Sequence, residues 1–256
     1  MSFYKVTLRY NGTCYSGWQI QSQGEKTIQG ELNRALEKIS KSKEVKSTGS
    51  GRTDSGVHAF CQVAKVEIPL EIDPISFKKA LNSNLPKDIE VLMCEESTEK
   101  FHPVRDAKKK EYRYYFKMGR EKSPFDHELI SKCSFELNLE LMQKACEIFV
   151  GEHDFQNYFC TGTPVNSTVR TIFECELNKL HGEGLFSNFS GEYYEFRVVG
   201  SGFLKQMVRL MVGAAWAVAA GKHNLKDLER SLSGPLYQKV GATAPPEGLY
   251  LYSVEY

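Results

Sequence analysis

Apolar and polar residues alternate from the start of the chain. Tyr4, Val6 and Leu8 interleave with Lys5, Thr7 and Arg9, the period-two pattern of a strand with one buried face. Past Thr27, a hydroxyl residue suited to cap a helix, Ile28, Leu32, Ala35, Leu36 and Ile39 recur at helical spacing. Short β-like runs follow near 44–49 and 60–68, the second carrying Val63, Val66 and Ile68. Pro74 opens another helical pattern through Phe77, Ala80 and Leu81 that stops before Pro86, and DIEVLMCEE from Asp88 reads as a strand. The predicted order is β-α-β-β-α-β.

The same order recurs further on. Residues 111–118 form a strand pattern, 139–150 an amphipathic helix, and 168–179 and 192–199 two more strands. A long helix over 202–220, a short one near 224–232 and a closing strand over 249–256 complete a second unit with one extra helix. No residue-level repeat accompanies this duplication of elements. The expectation is an α+β protein of two ferredoxin-like halves, 1–105 and 106–256, each with helices on one face of an antiparallel sheet. Two such sheets joined edge to edge would present a concave surface around a central cleft, a cradle for something larger than a metabolite. A fold alone names no function.

Composition narrows the class. With 256 residues, 41% apolar and 25% charged, the chain is an ordinary globular one. The uncharged run from Leu210 to Ala220 is closed by Arg209 and Lys222, which makes it too short to span a bilayer and suits a buried core helix. Seven scattered cysteines without a C-x-x-C pair fit neither a disulfide framework nor a zinc site, and the first ten residues lack the apolar run of a signal peptide. Reduced thiols in a cytoplasm are expected. No pair among the six histidines has the spacing of a zinc-binding helix, so no metal is expected. The net charge of +1 does not by itself announce a polyanion. Locally, however, Arg105, Lys108, Lys109, Lys110 and Arg113 crowd into RDAKKKEYR against only Asp106 and Glu111, either a solvated loop or a phosphate-binding patch.

The densest chemistry lies in SGRTDSGVHA, Ser50 to Ala59. By composition alone it is a turn, since Gly supplies positive φ and the short polar side chains bond their own backbone. Its place between the second and third strands sharpens that reading. Arg52 and Asp54, two apart, would share one face of an extended backbone. An arginine beside a carboxylate keeps it ionised and oriented, as nucleophilic or general-base work requires. His58 suits a hydrogen bond within this region better than proton transfer.

These residues carry a resemblance to a known family. YNGTCYSGWQIQ (Tyr10 to Gln21), TIQGELNRAL, GRTDSGVHA, FHP with AKKKEYRYYF, GEHDF, VRTI, GSGFLKQMVRLMVG and PPEGLYL occur in this order along nearly the whole chain. Together they resemble the tRNA pseudouridine synthase A family. The resemblance implies an enzyme that isomerises uridines at positions 38 to 40 of the tRNA anticodon stem-loop, with no cofactor, metal or redox change, acting as a cytoplasmic homodimer. It implies that Asp54 is the essential carboxylate. Arg52 would pair with Asp54 and fill the space left by the flipped base, because extrusion costs a few kcal/mol of stacking. Tyr112 matches the tyrosine lying against the uracil and Leu249 the apolar floor of that pocket. Arg209, set in an apolar helix, matches a family arginine and needs a carboxylate or a phosphate as partner. Phe101, His102, Arg105, Lys108 and Lys110 match one tRNA-contacting segment and Arg170 another. The family usually reads Phe-His-x-Arg, so Arg105 stands one place late, while Lys205 and Tyr158 replace other habitual residues.

Three rival readings remain at this point. A hydrolase or phosphotransferase with Asp54 as nucleophile would need Mg²⁺ and further carboxylates, and no second acidic cluster accompanies GRTDSG. An RNA-binding module without chemistry leaves the crowding around Asp54 unexplained. A synthase acting on ribosomal RNA keeps the chemistry and changes the target.

Overall fold

The computed structural model describes residues 1–21, 24–119, 124–160, 165–180, 192–234 and 239–256. They form a mixed α/β protein with mostly antiparallel sheets and, among the described residues, five α-helices. The chain divides into two units, Met1–Lys108 with Tyr250–Tyr256, and Lys109–Leu249.

The first unit follows the predicted order: β1 (Ser2–Tyr10), α1 (Ile28–Ser40), β2 (Lys46–Gly49), β3 (His58–Ile68), α2 (Pro74–Asn84) and β4 (Ile89–Glu96). Strands β4, β1 and β3 lie side by side, all antiparallel, and β2 pairs antiparallel with the far half of β3. Tyr4, Val6, Leu8 and Tyr10 of β1 are buried, as the alternation requires, and the Tyr4 ring meets Phe77 of α2 at 4.6 Å. Both helices start on side-chain caps. Thr27 Oγ1 accepts from Gly30 N–H at 3.2 Å, and Asp73 from Ser76 N–H at 2.9 Å with Pro74 in the first turn. The final strand of the chain, β10 (Leu249–Glu255), pairs in parallel with the near end of β3, Tyr250 opposite His58 and Leu251 opposite Ala59.

In the second unit, β5 (Lys109–Met118), β9 (Tyr193–Gly200), β8 (Val169–Leu180) and β7 (Gly151–Asp154) form an antiparallel run, with the short β6 (Ser131–Cys133) parallel to β5. Helices α3 (Leu139–Phe149), α4 (Met207–Ala219) and α5 (Leu225–Ser231) complete it. Tyr114 and Phe116 of β5 meet Trp216 of α4 edge-on, at 5.7 and 5.4 Å. Every residue of α4 except Arg209 is buried, so the uncharged run is a core helix, and no described helix is long and apolar enough to cross a membrane. Helix α4 starts at Met207 rather than at 202 as predicted. Gln206 stands at φ 62°, a left-handed conformation that an α-helix cannot pass through. Strands β6 and β7 escaped the sequence reading because three or four residues are too few to establish a period.

A second polar system lies on β5 and its neighbours. Lys117 Nζ meets Asp126 Oδ2 at 2.5 Å with both side chains buried, and the Tyr193 hydroxyl donates to the same oxygen at 3.3 Å. Removing one member of such a pair leaves a charge without its counter-ion in low dielectric. Lys117→Met is therefore expected to lower unfolding free energy by about 3–5 kcal/mol. Urea denaturation checks this, and adding Asp126→Leu should restore most of the loss.

Candidate active site

Asp54 lies on the loop joining β2 to β3, where the sequence placed it. Arg52 is exposed, Thr53 buried and Asp54 half-buried. The loop is held from both sides. Before Arg52, Ser50 N–H donates to Val63 O at 2.7 Å and Ser50 Oγ–H to Gln62 Oε1 at 2.7 Å, while Gln62 Nε2 donates to Gly51 O at 2.9 Å. Around Asp54, Trp18 N–H donates to Thr53 O at 3.1 Å, and Val57 N–H closes the turn onto Asp54 O at 3.2 Å.

The segment that clasps this loop is residues 11–18, just after β1. Gly17 sits at φ +92°, and a Cβ there would stand 2.5 Å from Thr53 O. A Cβ on Gly12 would stand 2.0 Å from Val57 O. Two main chains approach where no side chain fits, which glycine alone permits. Tyr15 in the same segment donates its hydroxyl to Asp88 Oδ1 at 2.6 Å, and Asn11 N–H donates to Asp88 O at 3.0 Å. Lys26 places its ammonium 4.4 Å from the Tyr15 ring. His58 is buried; its Nδ1 accepts from Gly12 N–H at 3.1 Å, and its ring stacks on Tyr250 at 4.6 Å. An accepting Nδ1 carries no proton, and the bond ties His58 to the clasping segment.

The residues matched to the uracil pocket belong to the second unit. Tyr112 is buried on β5, with its ring edge-on to Phe203 at 5.0 Å. Leu249, also buried, follows a 3₁₀ turn at Pro246–Gly248 and donates its N–H to Pro246 O. Arg209 is half-buried; its Nε donates to Ala244 O at 2.7 Å, and Ala244 N–H returns a bond to Arg209 O at 3.1 Å. A backbone carbonyl thus takes one guanidinium donor, a partner the sequence argument had not considered.

The segment after β4 is also ordered by named contacts. The half-buried Phe101 ring lies 5.2 Å from Tyr256. His102 N–H donates to Asp106 Oδ2 at 2.8 Å, His102 Nδ1 accepts from Val104 and Arg105 N–H, and Tyr256 donates its hydroxyl to Pro103 O at 2.9 Å. Arg105 is exposed on this turn.

A family model described as tRNA pseudouridine synthase matches residues 7–104 and 145–256. The chain belongs to the tRNA pseudouridine synthase family. It is 39% identical over 252 residues to a tRNA pseudouridine synthase A of Geobacillus sp. (strain WCH70), covering 98% of this chain and 97% of that one. It is 37% identical over 256 residues, all of both chains, to proteins of the same name from Lacticaseibacillus casei (strain BL23) and Pseudothermotoga lettingae.

Seen within this family, the basic stretch is not one surface. Lys108 and Lys109 are exposed, and the Lys109 ammonium lies 5.7 Å from the Phe173 ring. Arg113 is engaged by Glu111 at 2.7 Å and Glu195 at 3.1 Å, in a network that continues through Arg197 to Glu174. Lys110 is only 8% exposed, so it is not a solvated side chain of a loop. Burial, with the nearby Arg170 guanidinium adding to it, pushes the Lys110 pKa down to about 8. Arg170, half-buried at the start of β8, donates from Nη1 to Ser167 O and Val169 O.

The lowered value sets a pH dependence. Between about pH 8 and the ordinary lysine value, the unfolded chain holds a proton that folded Lys110 has released, so stability rises with pH across that window. The contribution is full above the unfolded pKa and lost as pH falls through about 8. Lys110→Met removes that dependence and is expected to be more stable than the parent below pH 8, by up to about 3 kcal/mol. Chemical denaturation from pH 6.5 to 10 checks this, the gap narrowing as pH rises.

Proposed function

We propose that this protein converts uridines at positions 38, 39 and 40 of the tRNA anticodon stem-loop to pseudouridine, working as a cytoplasmic homodimer. What carries the proposal is the intact GRTDSG loop, clasped through Gly12 and Gly17, in a chain of this family. The reaction breaks the bond from C1′ to N1 of uracil, turns the base and joins C1′ to C5, releasing the C5 proton while N1 takes one up. Electrons balance within the nucleotide, so the isomerisation needs no cofactor.

In this reading Asp54 is the essential carboxylate, acting on the sugar or on the ring, and Arg52 pairs with it and occupies the space of the flipped base. Tyr112 supplies the aromatic face for the uracil and Leu249 the apolar floor, with Arg209 as a further substrate residue. Phe101, His102, Arg105, Lys108 and Arg170 contact the tRNA, while Lys110, expected with them, is buried. The two halves expected at 1–105 and 106–256 are ferredoxin-like, with Tyr250–Tyr256 grouped with the first; the β4-β1-β3-β2 strand order of the first supports this. Tritium release from tRNA labelled at uracil C5, run in EDTA, tests the chemistry. Wild type should release label and Asp54→Asn none; activity retained in Asp54→Asn removes the assignment.

A nearly neutral chain must hold tRNA through local cations, each phosphate contact releasing a counter-ion. Because Lys110 is buried, the exposed Lys108 and Lys109 are the ones to change. Replacing both by alanine should weaken tRNA binding and flatten the salt dependence by roughly 0.7–0.9 per lost contact. Filter binding across a salt series checks this, and turnover at saturating tRNA should be preserved.

A further inference from the structure

Asp54 is the one residue between two anchored neighbours. On one side, the Thr53 hydroxyl lies 2.9 Å from the Tyr10 hydroxyl, and Thr53 O accepts from Trp18 N–H at 3.1 Å. On the other, Ser55 Oγ–H and Gly56 N–H both donate to Tyr15 O, each at 3.2 Å. The second anchor holds the loop through a backbone carbonyl that any residue at 15 would supply. The first adds to such a backbone bond, Trp18 N–H to Thr53 O, a contact between two particular side chains.

Tyr10 closes the buried face of β1 and is 4% exposed, while Thr53 is 6% exposed. For filling that core, phenylalanine would serve as well as tyrosine. A buried hydroxyl carries a desolvation cost that only a hydrogen bond offsets. Burial also raises the Tyr10 pKa, so the phenol keeps its proton through the working range. Besides an interaction with the Gln62 side chain, it bonds Thr53, the residue whose carbonyl carbon is joined to the Asp54 nitrogen. A change in the Thr53 backbone torsions, which this bond helps to hold, would therefore move Asp54.

We infer that Tyr10 and Thr53 form a positioning pair for catalysis, holding the Asp54 carboxylate in register with the bound uridine. This rests on the role proposed above for Asp54. Misplacement of a reacting group by about 1 Å can cost on the order of a hundredfold in rate without changing what binds. The pair accordingly acts on turnover and not on affinity for tRNA. A tie that merely stabilised the fold would do the reverse, lowering the melting temperature and leaving turnover at saturation intact.

The test compares Tyr10→Phe, Thr53→Val, Thr53→Ser and the double variant Y10F/T53V. Readouts are tritium release at saturating tRNA, tRNA affinity by filter binding, and melting temperature. Tyr10→Phe and Thr53→Val should each slow release about tenfold or more, with affinity held within about twofold. Thr53→Ser, which keeps the hydroxyl, should retain most of the rate. The double variant should be no slower than the slower single one, since both remove the same bond. Wild-type rates in both singles, multiplying losses in the double, or a loss confined to melting temperature would overturn the inference. Should Thr53→Val fail to fold, Tyr10→Phe decides alone, because it removes one oxygen and preserves the ring. An Asp54→Asn control separates the two levels. If it is active, the assignment of Asp54 fails; if it is dead while both singles turn over normally, only the positioning pair fails.

Discussion

The GRTDSG loop depends on a contact between two main chains. Gly12 and Gly17 bring the segment after β1 against Val57 O and Thr53 O, at distances a Cβ would violate. Once that approach is made, peptide groups supply the hydrogen bonds, and peptide groups are stiff and short compared with side chains. A functional carboxylate mounted on a loop would otherwise share the mobility of loops. Here it is borne by a segment whose neighbours on both sides are fixed to the sheet of the first unit. The surrounding buried polar groups, Gln62, Tyr10 and Tyr15, each meet a partner, as burial of such groups requires.

Strand β5 divides its charges by the side on which they stand. Lys109 is exposed, Lys110 buried, and Glu111 and Arg113 join an ionic ladder with Glu195, Arg197 and Glu174. A cluster of five cations in nine residues is thereby reduced, as a solvent-facing patch, to its first members. Local charge density in a sequence overstates the field at a surface whenever a strand runs through it, because alternate side chains turn inward.

Most of the first unit was legible in the sequence. The alternation in β1, the Thr27 cap, the helical stripe from Ile28 and the Pro74 start all name their elements correctly, because local periodicity and capping are local properties. The place of Asp54 on the β2–β3 loop was legible for the same reason. What surrounds it was not. Gln62 stands in an apolar run as an isolated amide, and nothing in its spacing tells that it reaches back to Ser50 and Gly51. Tyr10 looks like one more inward aromatic until its hydroxyl is seen against Thr53. Gly12 and Gly17 look like turn residues, and their role as clearance for another backbone is a long-range fact. The late start of α4 was hidden as well, since Gln206 is no residue that advertises a positive φ.

The pairing of β10 with the near end of β3 has a consequence for how the protein comes into being. The residues of β3 that receive it, His58 and Ala59, begin immediately after the catalytic loop, and Tyr250 stacks on His58. Most of the chain separates the two strands. During synthesis the first unit emerges early with that stretch of β3 lacking its last strand, and at ordinary elongation rates it waits on the order of ten seconds or more for the C-terminus. Residues translated long after β3 are thus the ones that complete the pairing at its near end. A ribosome-bound fragment that stops before β10 would hold GRTDSG and yet lack the strand that pairs beside it, so the surroundings of the loop depend on residues made much later.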